Sequence, residues 1–103
     1  MNHIKFSVGQ GGANDPQDVG IVQHLLNVVR KRDSEVPLAV DGIMGPKTLA
    51  AIRNFQQKNG RSVDGRVDPG AETIQLLNQQ APQLPANDGV SFLTNKGGGD
   101  RFA

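Results

Sequence analysis

V-D-G-I-M-G-P-K-T, residues 40–48, returns as V-D-G-R-V-D-P-G-A-E-T, residues 63–73, and the reading of this repeated phrase decides the fold. An internal repeat marks a supersecondary unit used more than once. Asp-Gly is turn chemistry: the Asp side chain accepts from backbone N–H groups just ahead of it, and Gly tolerates positive φ. Gly45-Pro46 and Asp68-Pro69 then read as an N-cap followed by the first helical residue, where the fixed φ of proline suits a helix and its missing N–H costs nothing. Upstream, Asp15-Pro16 repeats the step, and Asp18 places negative charge at the positive end of the helix dipole. The pattern predicts three helices, each opened by an X-Pro step.

The interiors agree. Val19, Val22, Leu25, Leu26 and Val29 recur at helical spacing, and Arg30-Lys31-Arg32 closes the run with cations beside unpaired carbonyls, which predicts a helix over 16–31. In the second helix Leu49, Ile52 and Phe55 form the apolar stripe; Met44 is placed to staple against Leu49, and Asn59-Gly60 is the stop. The third is short, carrying Ile74, Leu76 and Leu77 before Ala81-Pro82. Its approach has two extra residues, Gly70-Ala71, so the copies are related without being identical. Towards the ends, Ile4, Phe6 and Val8 alternate with polar residues, as do Val90, Phe92 and Thr94, and each run reads as a short strand. Two arrangements stay open. The strands pair with one another, because isolated strands leave backbone groups unpaired, or residues 82–103, rich in Pro, Gly and Asn, form a tail or docking segment. The domain reading is a helical domain over 1–81, its core at 15–79, followed by the 82–103 segment.

At 103 residues the chain suits one domain with a modest core, and a net charge of +1 gives no global field to steer it to nucleic acid or anionic lipid. There is no cysteine, hence no disulfide framework and no thiol catalysis. No apolar run approaches a membrane span, and the N-terminus lacks the hydrophobic core of a signal peptide. No nucleophile elbow and no His-Glu-x-x-His motif is present, so no catalytic residue is expected. His24 stands mid-helix without a second ligand four residues away and reads as a surface or packing residue, since a zinc site needs three or four protein ligands. Asp41 and Asp64 are the candidates for a glycosidase pair, but capping their own turns is the simpler role. Neither Asp-Gly turn carries the alternating oxygen ligands of a calcium loop: the positions preceding Gly42 are Asp41, Ala39 and Pro37, and those preceding Gly65 are Asp64, Ser62 and Gly60. No metal and no cofactor are expected. Arg30-Lys31-Arg32, followed by Asp33 and Glu35, is helix-end chemistry and not a nucleic-acid patch.

The order D-V-x-x-V-Q-x-L-L-N (18–27), V-D-G-x-x-G-P-x-T-x-x-A-I-x-x-F-Q (40–56), N-G (59–60), V-D-G-x-V-x-P and T-x-x-x-L (63–77) resembles the peptidoglycan-binding-domain-like family. The resemblance implies a mainly α fold, a small three-helix bundle with repeated D-G-x-x-x-P loops, to which a short terminal β-ribbon is a possible addition. It also implies non-catalytic recognition of bacterial peptidoglycan by a module commonly attached to wall-lytic enzymes. Asp68 stands where the family usually has Gly before Pro, so the second loop departs from the pattern. With no Trp and no Tyr in the chain, hydrogen bonding to a stem peptide or to acetamido groups is expected in place of ring stacking on sugars. The candidate ligand-binding residues are Asp41 with the backbone of Gly42, Ile43 and Gly45, joined by Lys47, Thr48 and Arg66; a helix N-terminus beside a cation suits a carboxylate. The implied partner is peptidoglycan, with a linked or partner wall-active enzyme, and the implied location is periplasmic or cell-wall associated. The alternative is a protein-interaction module that docks an enzyme, a secretion component or another copy of itself.

Overall fold

The computed structural model of the protein describes residues 3–81. Among these residues the elements run β1 (Val8–Gly9), α1 (Pro16–Arg32), α2 (Pro46–Lys58), β2 (Arg66–Val67) and α3 (Glu72–Gln80). The fold is the expected small, mainly α bundle, with a two-stranded antiparallel ribbon pairing Val8 with Val67 and Gly9 with Arg66. Val19, Val22, Leu25, Leu26 and Val29 of α1 pack with Ala51, Ile52 and Phe55 of α2 and Ile74 and Leu77 of α3 into one buried cluster. Val8 and Val67 are fully buried, so the ribbon is a wall of the core and not an ornament on it. The hydrophobic stripes inferred from helical spacing are therefore the surfaces that are removed from water.

The first two helix starts follow the expected chemistry. Asp15 caps α1, its carboxylate accepting from the Gln17 N–H at 3.2 Å, and Pro16 is the first helical residue. Gly45 precedes α2 with Pro46 in the same place and no side-chain cap. The third differs. Asp68 is not the N-cap of α3; Ala71 is, and the Ala71 N–H donates to the Asp68 carbonyl at 3.2 Å. Pro69-Gly70 thus occupies the centre of a β-turn, and the two extra residues of the second copy are spent closing that turn before the helix begins.

Two further differences concern the N-terminal segment. The strand expected over Ile4, Phe6 and Val8 is confined to Val8–Gly9, and its partner is the second repeated loop. The segment with Val90, Phe92 and Thr94, expected as its partner in one of the two arrangements, lies outside the described residues. Asp18 serves more than the helix dipole: it is 3 % exposed, and its two carboxylate oxygens accept from the Lys5 and Phe6 N–H groups, each at 3.0 Å. A carboxylate so satisfied tethers the incoming chain to the first turn of α1.

Candidate functional site: a groove over the first repeated turn

The link between α1 and α2 is held by a polar row on one side of α1, Gln23, Asn27 and Arg30, spaced as i, i+4 and i+7. Arg30 Nε donates to the Val36 carbonyl at 2.7 Å. Asn27 grips Leu38 from both sides, accepting its N–H at 2.7 Å and donating to its carbonyl at 2.9 Å. Gln23, 1 % exposed, donates through Nε2 to Asp41 Oδ1, the Ile43 carbonyl and Thr48 Oγ1, each at 3.1 Å. Its Oε1 accepts from the Asp41 and Gly42 N–H groups at 3.1 and 3.0 Å. Lower on α1 the link is tied to α2, where Lys58 Nζ meets Asp33 at 3.2 Å and Glu35 at 2.7 Å. Hydrogen bonding to Arg32 and Lys58 holds the Asp33 carboxyl below its ordinary range, and Lys58 does the same for Glu35.

The second repeated turn is built the same way from α2. Gln56, 2 % exposed, donates to Asp64 Oδ1, the Arg66 carbonyl and Thr73 Oγ1 at 2.9, 3.1 and 3.2 Å, and accepts from the Gly65 N–H at 2.9 Å. Each Asp closes its own turn: Asp41 accepts from the Ile43 N–H and Asp64 from the Arg66 N–H, both at 3.0 Å. These backbone N–H groups, and then the glutamine amides, hold both carboxyls below the ordinary carboxylate value. Gly42 and Gly65 are buried with φ of +73° and +72°, as Asp-Gly turn chemistry requires. Gln23 and Gln56 were therefore the residues that reading for turns alone did not single out. The available signal was a polar residue on the apolar face, four positions after Val19 in one helix and four after Ile52 in the other.

Above the first turn lies an open groove of about 520 Å³. Asp41, Ile43, Gly45, Lys47 and Thr48 line it, with Gln23 below and Pro37, Leu38 and Ala39 opposite. Five of the expected site residues are thus brought together. Gly42 is buried beneath, where a Cβ would lie 2.9 Å from the Pro16 carbonyl oxygen. Arg66 does not line this groove; it stands on β2 and pairs with Asp68 at 3.0 Å. Thr48 is 5 % exposed and braces Gln23, so that of the expected residues Asp41, Ile43 and Lys47 are the ones whose side chains a ligand can reach. Lys47 is exposed and makes no ion pair or hydrogen bond to another described residue. The groove therefore presents an ionised acceptor, a cation and an exposed aliphatic face within one concavity.

No group of three or more His, Cys, Asp or Glu residues among those described is placed to hold a metal ion. Burial holds the His24 pKa below its ordinary value by disfavouring the charged ring. No helix among the described residues is long and apolar enough to cross a membrane. Residues 15–77 match the model of the family described as "Putative peptidoglycan binding domain". No curated protein and no solved structure matches the chain.

Proposed function

The chain belongs to the peptidoglycan binding domain family, and from that premise we propose that it is a non-catalytic module that holds bacterial cell wall in the groove over its first repeated turn. The observation that carries this reading is that the Asp41 carboxylate and Lys47, which pairs with no described residue, line one open concavity. A stem peptide offers amide N–H groups for the first and carboxylates for the second, and Lys47 stands in the first turn of α2, where the helix dipole adds to its field. Acetamido groups of the glycan would use the same acceptor. Stacking on sugar rings is set aside because the chain has no Trp and no Tyr. In this reading the protein acts at the wall, in the periplasm or the wall itself, and raises the local concentration of a linked or partner wall-active enzyme. Residues 82–103, read from the sequence as a tail or docking segment, lie outside the described residues. A second reading, a protein partner on the same face, is favoured by the exposure of Ile43, which is 66 % accessible.

Co-sedimentation with purified sacculi tests the proposal. Sacculi are expected to deplete the protein from solution, less at high salt, and Lys47→Glu is expected to weaken retention through repulsion of stem-peptide carboxylates. Sacculi incubated with the protein are expected to release no soluble muropeptides. If sacculi do not retain the unmodified chain at low salt, the protein-partner reading takes its place.

A further inference from the structure

A second groove, of about 460 Å³, lies beside the first and shares Pro37, Leu38 and Lys47 with it. Its chemistry is different. The polar side chains at its far end are engaged in part: Arg30 with the Val36 carbonyl at 2.7 Å and Glu35 at 3.7 Å, and the Asn54 amide nitrogen with Glu35 at 3.4 Å. What remains for a ligand is apolar and small-featured, with Val36, Leu38 and Ala50 in the lining and Lys47 at the junction with the first groove. Of the four exposed large hydrophobic residues among those described, Ile43 lines the first groove and Val36, at 77 % exposure, lines the second.

We propose that the second groove is a subsite for small apolar side chains joined directly to the carboxylate that Lys47 holds, so that the paired grooves select the alanine-bearing carboxyl end of a stem peptide. This rests on the reading of the first groove as the wall-binding site, and it adds a direction and a specificity to it. Two features of the site support that choice of occupant. Lys47 is the cation that both grooves share and that no described acidic residue neutralises, which matches a terminal carboxylate placed where the two grooves meet. The exposed Ala50 leaves room beside α2 for methyl-sized groups.

The test is an affinity comparison on the full chain, by calorimetry or amide chemical-shift titration, of a stem tripeptide and the corresponding pentapeptide ending in two alanines. The pentapeptide is expected to bind roughly tenfold more tightly, the increment that two buried methyl groups supply. Its carboxyl-terminal amide is expected to lose much of that gain. Ala50→Gln, neutral and favourable in a helix, fills the second groove without touching the first; it is expected to leave tripeptide binding unchanged and to remove the pentapeptide preference, with circular dichroism confirming the fold. Equal binding of the two peptides, or Ala50→Gln weakening both alike, overturns the proposal while wall binding stands. Retention by sacculi with binding of neither peptide also overturns it, and loss of retention by sacculi overturns the reading on which it rests.

Discussion

In the first copy of the repeated turn, Asp41, Gln23 and Thr48 form the same hydrogen-bonded lattice that Asp64, Gln56 and Thr73 form in the second. What surrounds the two lattices differs. Over the second, β1 pairs with Arg66–Val67, the Gln10 N–H donates to the Gly65 carbonyl at 2.9 Å, and Ser7 Oγ donates to Asp68 at 2.6 Å. Arg66 is paired with the same Asp68. Over the first there is a groove, and Lys47 has no acidic partner among the described residues. One turn is covered by the chain's own N-terminal segment and the other lies under an open groove. The lesson is that repetition supplies the scaffold while its local departures decide exposure: Asp68 and the extra Gly70-Ala71 give the second copy a carboxylate for Ser7 and Arg66 to hold, and the first copy has Gly45 in that place.

The largest expected effect comes from the struts. Gln56→Ala would strand the Gly65 N–H and the Arg66 carbonyl and leave Thr73 without its donor. With each buried unsatisfied group costing about 1–3 kcal/mol, the loss is expected to be about 3 kcal/mol, or at least ~10 °C in melting temperature. Gln23→Ala should cost a similar amount if the lattices are equivalent. It should also weaken sacculus binding measured below its melting point, because Gln23 orients Asp41 and Ile43, whereas Gln56 touches nothing in the groove. A loss below ~1 kcal/mol in either variant would break the equivalence.

The glycines sharpen the comparison. Both occupy left-handed backbone, so Ala at either pays about 1 kcal/mol for conformation. A Cβ at Gly42 meets a backbone oxygen, that of Pro16 at 2.9 Å, while at Gly65 it meets the flexible Arg53 side chain at 2.9 Å and Leu49 at 3.1 Å. Arg53 can move and Pro16 cannot without shifting the start of α1. Gly42→Ala is therefore expected to cost about 2–3 kcal/mol and Gly65→Ala about 1–2 kcal/mol by urea denaturation. The reverse order would mean that the α1 start yields more readily than its cap suggests.

These contrasts also mark what the sequence could disclose. Asp15-Pro16 and Gly45-Pro46 were legible as helix starts because capping is local, decided within one turn of the chain. Asp68-Pro69 misled because the same dipeptide opens a helix or a β-turn, and only the next two residues decide which. The partner of Val8 was not legible, since pairing of strands two residues long is fixed by where Val8 and Val67 are buried, a fact of tertiary packing. Asp41, Ile43, Gly45, Lys47 and Thr48 were legible as a group because they are neighbours in one loop. The Pro37–Leu38 wall opposite them was not, because it is brought there by Asn27 and Arg30 from another helix.

A smaller effect concerns acid. The Asp41 and Asp64 carboxyls titrate below their ordinary value because turn N–H groups and glutamine amides favour the charged form. With the folded value below the unfolded one, their contribution to stability is complete above the unfolded pKa of about 4 and is lost as pH falls through the folded values. Melting temperature is expected to be level near neutral pH and to decline below about pH 4. Asp64→Asn should flatten that decline by its own share and leave the share of Asp41 in place. A decline unaffected by substitution at either position would assign acid sensitivity to Asp33 and Glu35, whose carboxyls Lys58 also holds low.

The smallest expected change in stability is at the residue proposed to matter most for binding. Lys47 makes no ion pair among the described residues, so Lys47→Glu removes no partner, and its exposed position limits the shift to about 0.5 kcal/mol. Arg66→Glu is the matched substitution in the second copy. It converts the Arg66–Asp68 pair into a repulsion beside Ser7, at a cost of up to about 1 kcal/mol, since the pair is largely solvent-exposed. Binding should reverse the order. Lys47→Glu weakens retention by sacculi and reduces its salt dependence; Arg66→Glu leaves both unchanged, because Arg66 lines no part of the groove. Equal losses of retention in the two variants would show that the second copy also meets the wall, and that the N-terminal segment covers its turn without closing its surface.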